Sequence, residues 1–284
     1  MDKKITIRDV AREAGVSIAT VSYVLNNRFD QKISANTRKK VLQIANLLQF
    51  TPSYAAKLLT TGKSHNIGIL SGNFSFFDFF HIRFIKDLIS VFANKGYKTT
   101  ILPSLSECSA DQQPNIDGIV CIDLTQEQFL QLSDNCLLPI VCADMIVDHY
   151  LFFQIYNDYS LLLKKAADLA QYTLLHIEVK NEKYKNYLCR IFGNNICFCQ
   201  NFESVQNAVK THPAPFIAMG DYLTLAAMTL TPQVLPVSVS QSENLPVRSF
   251  FELNSLKKAE TVVQAMFDAI ERNIVNHDIR IEYR

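Results

Sequence analysis

The 284 residues carry 28 Lys and Arg against 27 Asp and Glu, a formal net charge of +1, and 48% of them are hydrophobic. No apolar run is long enough to cross a bilayer and no signal-peptide pattern opens the sequence, so the reading is a cytoplasmic protein with no membrane partner. The near-neutral total conceals an asymmetry: residues 1–64 hold 11 basic against 4 acidic side chains, a net of +7, which leaves 17 against 23, a net of −6, for the remainder. A basic segment of that size is the electrostatic footprint of a phosphate-backbone binder.

Ile7, Val10, Ala11 and Ala14 share one helical stripe, and Val21, Val24 and Leu25 share another, so Ile7 to Asn26 predicts a pair of short amphipathic helices packed face to face. Gly15 sits where the chain must turn sharply, and Ala11 is small enough to let the second helix approach. Ser17 is placed to cap that second helix with its hydroxyl. An ordinary αα-hairpin shares this spacing, and the local positive charge decides for the helix-turn-helix. A third helix follows, capped by Ser34, with Val41, Ile44, Ala45 and Leu48 as its apolar stripe and Arg38 to Lys40 as a solvated basic flank. Pro52 and Gly62 then bracket a helix of one or two turns, too short to be stable in water without a packing partner such as its own symmetry mate on DNA.

The run TIRDVAREAGVSIATVSYVLN, the capped ISANTRKKV, and the segment holding Pro52, Ala55, Ala56 and Leu59 ahead of NIGIL resemble the head, third helix and hinge of the LacI/GalR transcriptional regulators. The resemblance is close over residues 5–70 and loose thereafter. It implies a homodimer on a pseudo-palindromic double-stranded operator, with the recognition helix starting near Ser17 and the hinge helices paired in the minor groove. Ile18, Ala19 and Tyr23 match base-reading positions. Tyr23 stands where Arg is common, and Ile18 and Ala19 offer only apolar contact, most naturally with a thymine methyl. Thr6, Ser17, Thr20, Ser22, Asn26, Ser34 and Thr37 match phosphate-contacting positions, each of which also suits a cap or a turn. Ala56 and Lys57 match hinge contacts, Lys57 as a minor-groove or phosphate cation. Leu59 matches the wedge leucine, which partly unstacks a base step and bends the duplex.

The remaining residues are enough for a sizeable α/β core. Apolar runs bounded by turns at 66–70, 98–102, 118–122, 139–142, 174–179 and 216–219 alternate with helical patterns at 80–94, 126–132, 160–170 and 256–270. This alternation predicts parallel sheets built from βαβ units. The expected fold class is therefore α/β: an all-α head with a hinge, then a two-lobed, periplasmic-binding-protein-like body, as the resemblance also implies. Residues 1–50 form the helix-turn-helix domain, 51–63 the hinge or linker, and 64–284 an effector-binding and dimerisation body. Lobe 1 is expected near 64–155 and 249–275, and lobe 2 near 156–248 and 276–284. Asp221 matches the family's effector-binding aspartate, although Gly220 replaces the preceding Asn. Residues 235–245 lack the pattern of the usual strand. Phe76 and Phe77, in a run of aromatic residues after the first strand, are candidates to stack on a ligand in the cleft or to pack a core or dimer interface.

Catalytic patterns are missing: there is no Gly-rich phosphate loop, the six His are scattered, and the seven Cys form no C-x-x-C pair. No enzyme activity, metal or cofactor is expected, and the thiols are expected buried and reduced. The expectation is a sequence-specific DNA-binding regulator, a repressor whose operator affinity is set by a small effector. The alternative is a DNA-binding dimer whose degenerate cleft binds no effector. No leucine heptad follows residue 270, so a dimer without a tetramer-forming coil is expected.

Overall fold

In a computed structural model the chain divides into two compact units, Met1–Ser64 and His65–Arg284. The structure describes residues 5–25, 31–48, 50, 63–72, 79–105, 115–147, 149–239 and 248–282. The first unit holds α1 (Ile7–Ala14), α2 (Ile18–Leu25) and α3 (Ala35–Leu47). Its core is Val10, Ala11, Ala14, Val21, Val24, Val41 and Ala45, all buried, with Ile7, Leu25, Ile44 and Leu48 packed around them. These are the stripes set by the 3.6-residue period. Gly15 ends α1 at φ 64°, ψ 35°, where its N–H reaches the Arg12 carbonyl and the following Val16 N–H reaches that of Ala11.

The second unit runs β1 (Asn66–Ser71), α4 (Phe79–Asn94), β2 (Lys98–Leu102), β3 (Gly118–Ile122), α5 (Gln126–Asn135), β4 (Ile140–Ala143), β5 (Phe153–Asn157), α6 (Ser160–Ala166), β6 (Thr173–Ile177), α7 (Glu182–Phe192), β7 (Ile196–Cys199), α8 (Phe202–Thr211), β8 (Phe216–Met219), α9 (Asp221–Met228), β9 (Val234–Ser238), β10 (Phe251–Glu252), α10 (Ser255–Glu271) and β11 (Asp278–Ile281). It builds two sheets, one of six strands in the order β11-β5-β4-β3-β1-β2 and one of five in the order β10-β9-β8-β6-β7. Every pairing is parallel. β3, β4, β6 and β8 are buried at every position, as expected of strands covered on both faces. One buried cluster runs from Ile67, Val120 and Val141 of the first sheet through Tyr159 to Leu174 and Ile217 of the second.

Three expectations need correction. Residues 276–284 were assigned to the second lobe, yet β11 extends the first sheet beside β5, held by Gln154 N–H to the His277 carbonyl at 2.8 Å and Asp158 N–H to that of Ile281 at 3.0 Å. Burial of Ile281, which is 2% exposed, fixes that register. Residues 251–252, expected in the first lobe, instead form β10 against β9, so the chain crosses between the sheets twice, once between β5 and β6 and again between β10 and α10. Finally, β9 is a strand despite Pro236. Its carbonyl accepts from Phe250 N–H at 2.8 Å, and a strand residue's N–H points the same way as its carbonyl, so the missing donor faces the short β10 edge rather than β8. In the helical patterns, α6 stops at Ala166, where Leu169 N–H turns back to the Ala166 carbonyl and feeds the chain into β6.

Candidate functional sites

The head presents α2 as a helix with one face in the core and the other in solvent. Val21 and Val24 are fully buried, while Ile18 and Tyr23 are 45% and 37% exposed and Ala19 is also exposed. Ser17 fixes the start of the helix: its Oγ accepts from Thr20 N–H at 3.0 Å and pairs with Thr20 Oγ1 at 2.9 Å. Ser34 repeats the device on α3, accepting from Thr37 N–H at 3.1 Å and pairing with the Thr37 hydroxyl at 2.8 Å. A hydroxyl keeps a free lone pair after one such bond, so all four remain able to meet a second partner. Thr6 is more committed. Its N–H and its hydroxyl both donate to Asp9 Oδ2, at 3.0 and 2.7 Å, and Arg12 holds the other carboxylate oxygen at 2.9 Å. Arg8, Arg12, Lys32, Lys39 and Lys40 are exposed, whereas Arg38, expected in the solvated flank, is half-buried.

In the body, polar side chains meet at the C-terminal ends of the strands, where open α/β sheets place ligands. Asp123 follows β3 and Asp144 follows β4, both at positive φ (48° and 51°) and both nearly fully buried. Lys258 of α10 donates to Asp144 Oδ2 at 2.6 Å and lies 4.3 Å from the Phe84 ring centroid, and His81 Nε2 is 3.8 Å from the same carboxylate oxygen. Asp144 Oδ1 has no hydrogen-bond partner among the described residues. Asp123 accepts from the backbone N–H groups of Lys180 and Asn181, beyond β6, both at 3.0 Å on Oδ1, with a further 3.1 Å contact from Lys180 N–H to Oδ2. Asn181 completes the joint. Its amide donates to the Leu124 carbonyl at 3.1 Å, and its Oδ1 accepts from the N–H groups of Ile146 and Tyr184 at 3.0 and 2.9 Å. Burial outweighs these amide bonds and, with Asp144 nearby, pushes the Asp123 carboxyl up to about 7. Burial also disfavours the imidazolium form of His176.

His81, Asp123, Asp144, His176, Val179 and Tyr184 leave a void of only about 10 Å³ between them, room for about one water molecule. Broader recesses flank β11: one of about 470 Å³ lies by the loops that lead into β5 and β11, and one of about 570 Å³ runs along α10 beside β11. Among the described residues no three His, Cys, Asp or Glu side chains are grouped to hold a metal ion, and no helix is long and apolar enough to cross a membrane. Cys121, Cys136, Cys142 and Cys199 are buried and Cys189 is exposed.

Residues 6–53 match the model for bacterial regulatory proteins of the lacI family. Over that stretch the head is similar to the LacI family. It is 46% identical over 72 residues to the catabolite control protein A of Streptococcus mutans, covering 25% of this chain and 21% of that protein. Against the HTH-type transcriptional regulator GalS of Salmonella typhimurium it is 52% identical over 66 residues, 23% of this chain and 19% of the other. The catabolite control protein A of Priestia megaterium matches further, 31% over 154 residues, 50% of this chain and 44% of its own length. The chain thus matches from about a fifth to less than half of these relatives' length. By structure it is similar to the lac repressor dimer bound to operator and the anti-inducer ONPF, with a TM-score of 0.65 at 18% identity, covering 98% of this chain and 96% of that one. A LacI-family regulator from Silicibacter pomeroyi gives 0.60 at 16% identity, covering 98% and 96%. At such identities the likeness is one of fold, a head of short helices before an α/β body with two parallel sheets.

Of the residues singled out from the sequence, Thr6, Ser17, Ile18, Ala19, Thr20, Ser22 and Tyr23 lie on α2 or at the start of α1 or α2, and Ser34 and Thr37 start α3. Asn26, the hinge residues Ala56, Lys57 and Leu59, and Phe76 and Phe77 lie outside the described residues. Asp221 begins α9 after Gly220 at φ 83°, at the C-terminal end of β8, and is not among the residues around the interlobe void. The residues that do surround it were not marked from sequence. A signal was present in GIVCID and IVCAD, apolar strands that each end on an Asp.

Proposed function

We propose that the protein is a DNA-binding transcriptional regulator, acting as a homodimer that presents two copies of α2 to a pseudo-palindromic duplex. The observation that carries this reading is the exposed Ile18, Ala19 and Tyr23 face of a Ser17-capped helix, set in a basic head similar to the LacI family. Apolar and phenolic groups at the reading positions favour half-sites recognised through methyl contacts and duplex shape. The hinge residues Ala56, Lys57 and Leu59 would order in the central minor groove, with Leu59 as the wedge. The test is selection from random duplexes by the purified protein with and without Leu59→Ala. An enriched inverted repeat whose central step depends on Leu59 supports the reading, and salt-sensitive binding with no enriched motif removes it.

How the body acts on the head has two readings. A small sugar-like effector in the cleft, acting as a switch for repression, draws support from Asp221, whose Oδ1 has no hydrogen-bond partner among the described residues. The packed cleft, filled by the Asp144–Lys258 pair and its neighbours, favours a body that dimerises without an effector. A metabolite screen by thermal melting separates them, since a ligand that binds only the folded body raises its melting temperature with concentration. A reproducible, concentration-dependent rise favours the first, and flat melting across sugars, sugar phosphates and nucleosides favours the second.

A further inference from the structure

Asp123 sits in the joint between the two lobes, where its backbone N–H donors favour the ionised carboxylate but burial outweighs them. Oδ1 accepts from both backbone N–H groups, of Lys180 and Asn181, at 3.0 Å, and Oδ2 takes only a second share of the Lys180 N–H at 3.1 Å, so a proton on Oδ2 gives up that share and leaves one bond from each donor in place. The carboxyl is 4% exposed, and an ionised carboxylate taken out of water into such a site is penalised unless strongly paired. The charged and titratable groups facing it are Asp144 after β4, the Lys180 side chain beyond β6, His81 of α4, His176 of β6 and Tyr184 of α7, with the Lys258 ammonium engaged on Asp144 rather than on Asp123. In a body whose lobes had parted, the same carboxyl would meet water and recover its ordinary acidity.

We propose that Asp123 is a proton-operated latch between the lobes: it takes a proton from solvent onto Oδ2 as the lobes close over it and releases that proton as they part. The proposal stands on the body alone and holds whether or not the head reads DNA. Its sign follows from linkage. The group's proton affinity is higher in the closed body than in the open one, so closure is favoured in acid, and the favour is lost as pH rises from the ordinary carboxylate range, near 4, through about 7.

The experiment is hydrogen exchange by mass spectrometry on the full chain without DNA, following the peptide that holds the Lys180 and Asn181 amides and correcting for intrinsic exchange. In the wild type, opening at these amides should increase by up to about tenfold per pH unit between about pH 5 and 7 and level off above. Asp123→Asn keeps a carbonyl oxygen for both N–H donors and cannot ionise, so it should stay protected with no pH slope. His81→Gln should retain the wild-type slope. The proposal is overturned if wild-type protection does not change with pH, if the slope survives in Asp123→Asn, or if it vanishes in His81→Gln, which would make the imidazole the titrating group. Should Asp123→Asn not fold, Asp144→Asn and His176→Gln join His81→Gln: a slope retained in all three leaves Asp123 as the titrating group, and a slope lost in any of them overturns the proposal.

Discussion

Asp144 and Lys258 are 114 positions apart in sequence and touch at 2.6 Å with both side chains about 95% buried. Such a pair is asymmetric in energy: losing one partner strands a buried charge, whereas replacing both by apolar groups is close to neutral. Lys258→Met should therefore destabilise the body by about 3–5 kcal/mol in urea denaturation, and adding Asp144→Leu should recover much of it, less the roughly 1–2 kcal/mol that the positive φ at position 144 costs a Leu. If the double variant is as unstable as the single one, the pair is not what holds this part of the cleft. In the head, Ser17→Ala removes the acceptor for Thr20 N–H and should cost about 1 kcal/mol in thermal denaturation. The two sites differ in legibility for a physical reason. A cap is local, so Ser17 and Ser34 announce themselves by position ahead of an apolar stripe. The cleft polar cluster is drawn from α4, two strand ends, β6, the loop beyond it and α10, and no spacing rule joins residues that only the folded chain brings together.

Two glycines separate backbone conformation from space. A Cβ on Gly15 would meet only Lys40 Nζ, at 4.0 Å, so Gly15→Ala pays for its positive φ alone, about 1 kcal/mol in the head. A Cβ on Gly72 would stand 2.8 Å from the Asp123 carbonyl oxygen and 3.1 Å from Lys180 Cδ. Gly72→Ala should therefore lower the melting temperature of the body and deprotect the Lys180 and Asn181 amides, whereas Gly15→Ala should leave those amides unchanged. β1, β3, β4 and β8 were readable as apolar runs between turns because burial on both faces leaves them little else. β5 carries Gln154 among its five residues and so shows no such run, whereas the four apolar residues of β7, ICFC, lie at a sheet edge and are too short a run to tell strand from helix by period alone. β9 was hidden by Pro236, which argues against a strand until its neighbour on the donor side is known.

For the whole molecule the charge division sets the strongest expectation. If the basic head neutralises ~6–10 phosphates, duplex affinity should fall about 10³- to 10⁵-fold between about 50 and 200 mM salt in a fluorescence-anisotropy titration, and a salt-insensitive complex would remove the DNA-binding proposal. The head was legible nearly to the residue because helix period, turn glycine and caps all act within a few positions. The division of the body was less so, since β10 and β11 are assigned by pairing with distant strands and not by their own four-residue or shorter patterns. That division has a mechanical side. Among the described residues the lobes are tied by the chain at two places, as a door is hung at two points, and such a tether favours a swing about the line through them over free swivelling. A swing of that kind should register as one changing distance between a pair of labels set across the mouth of the cleft.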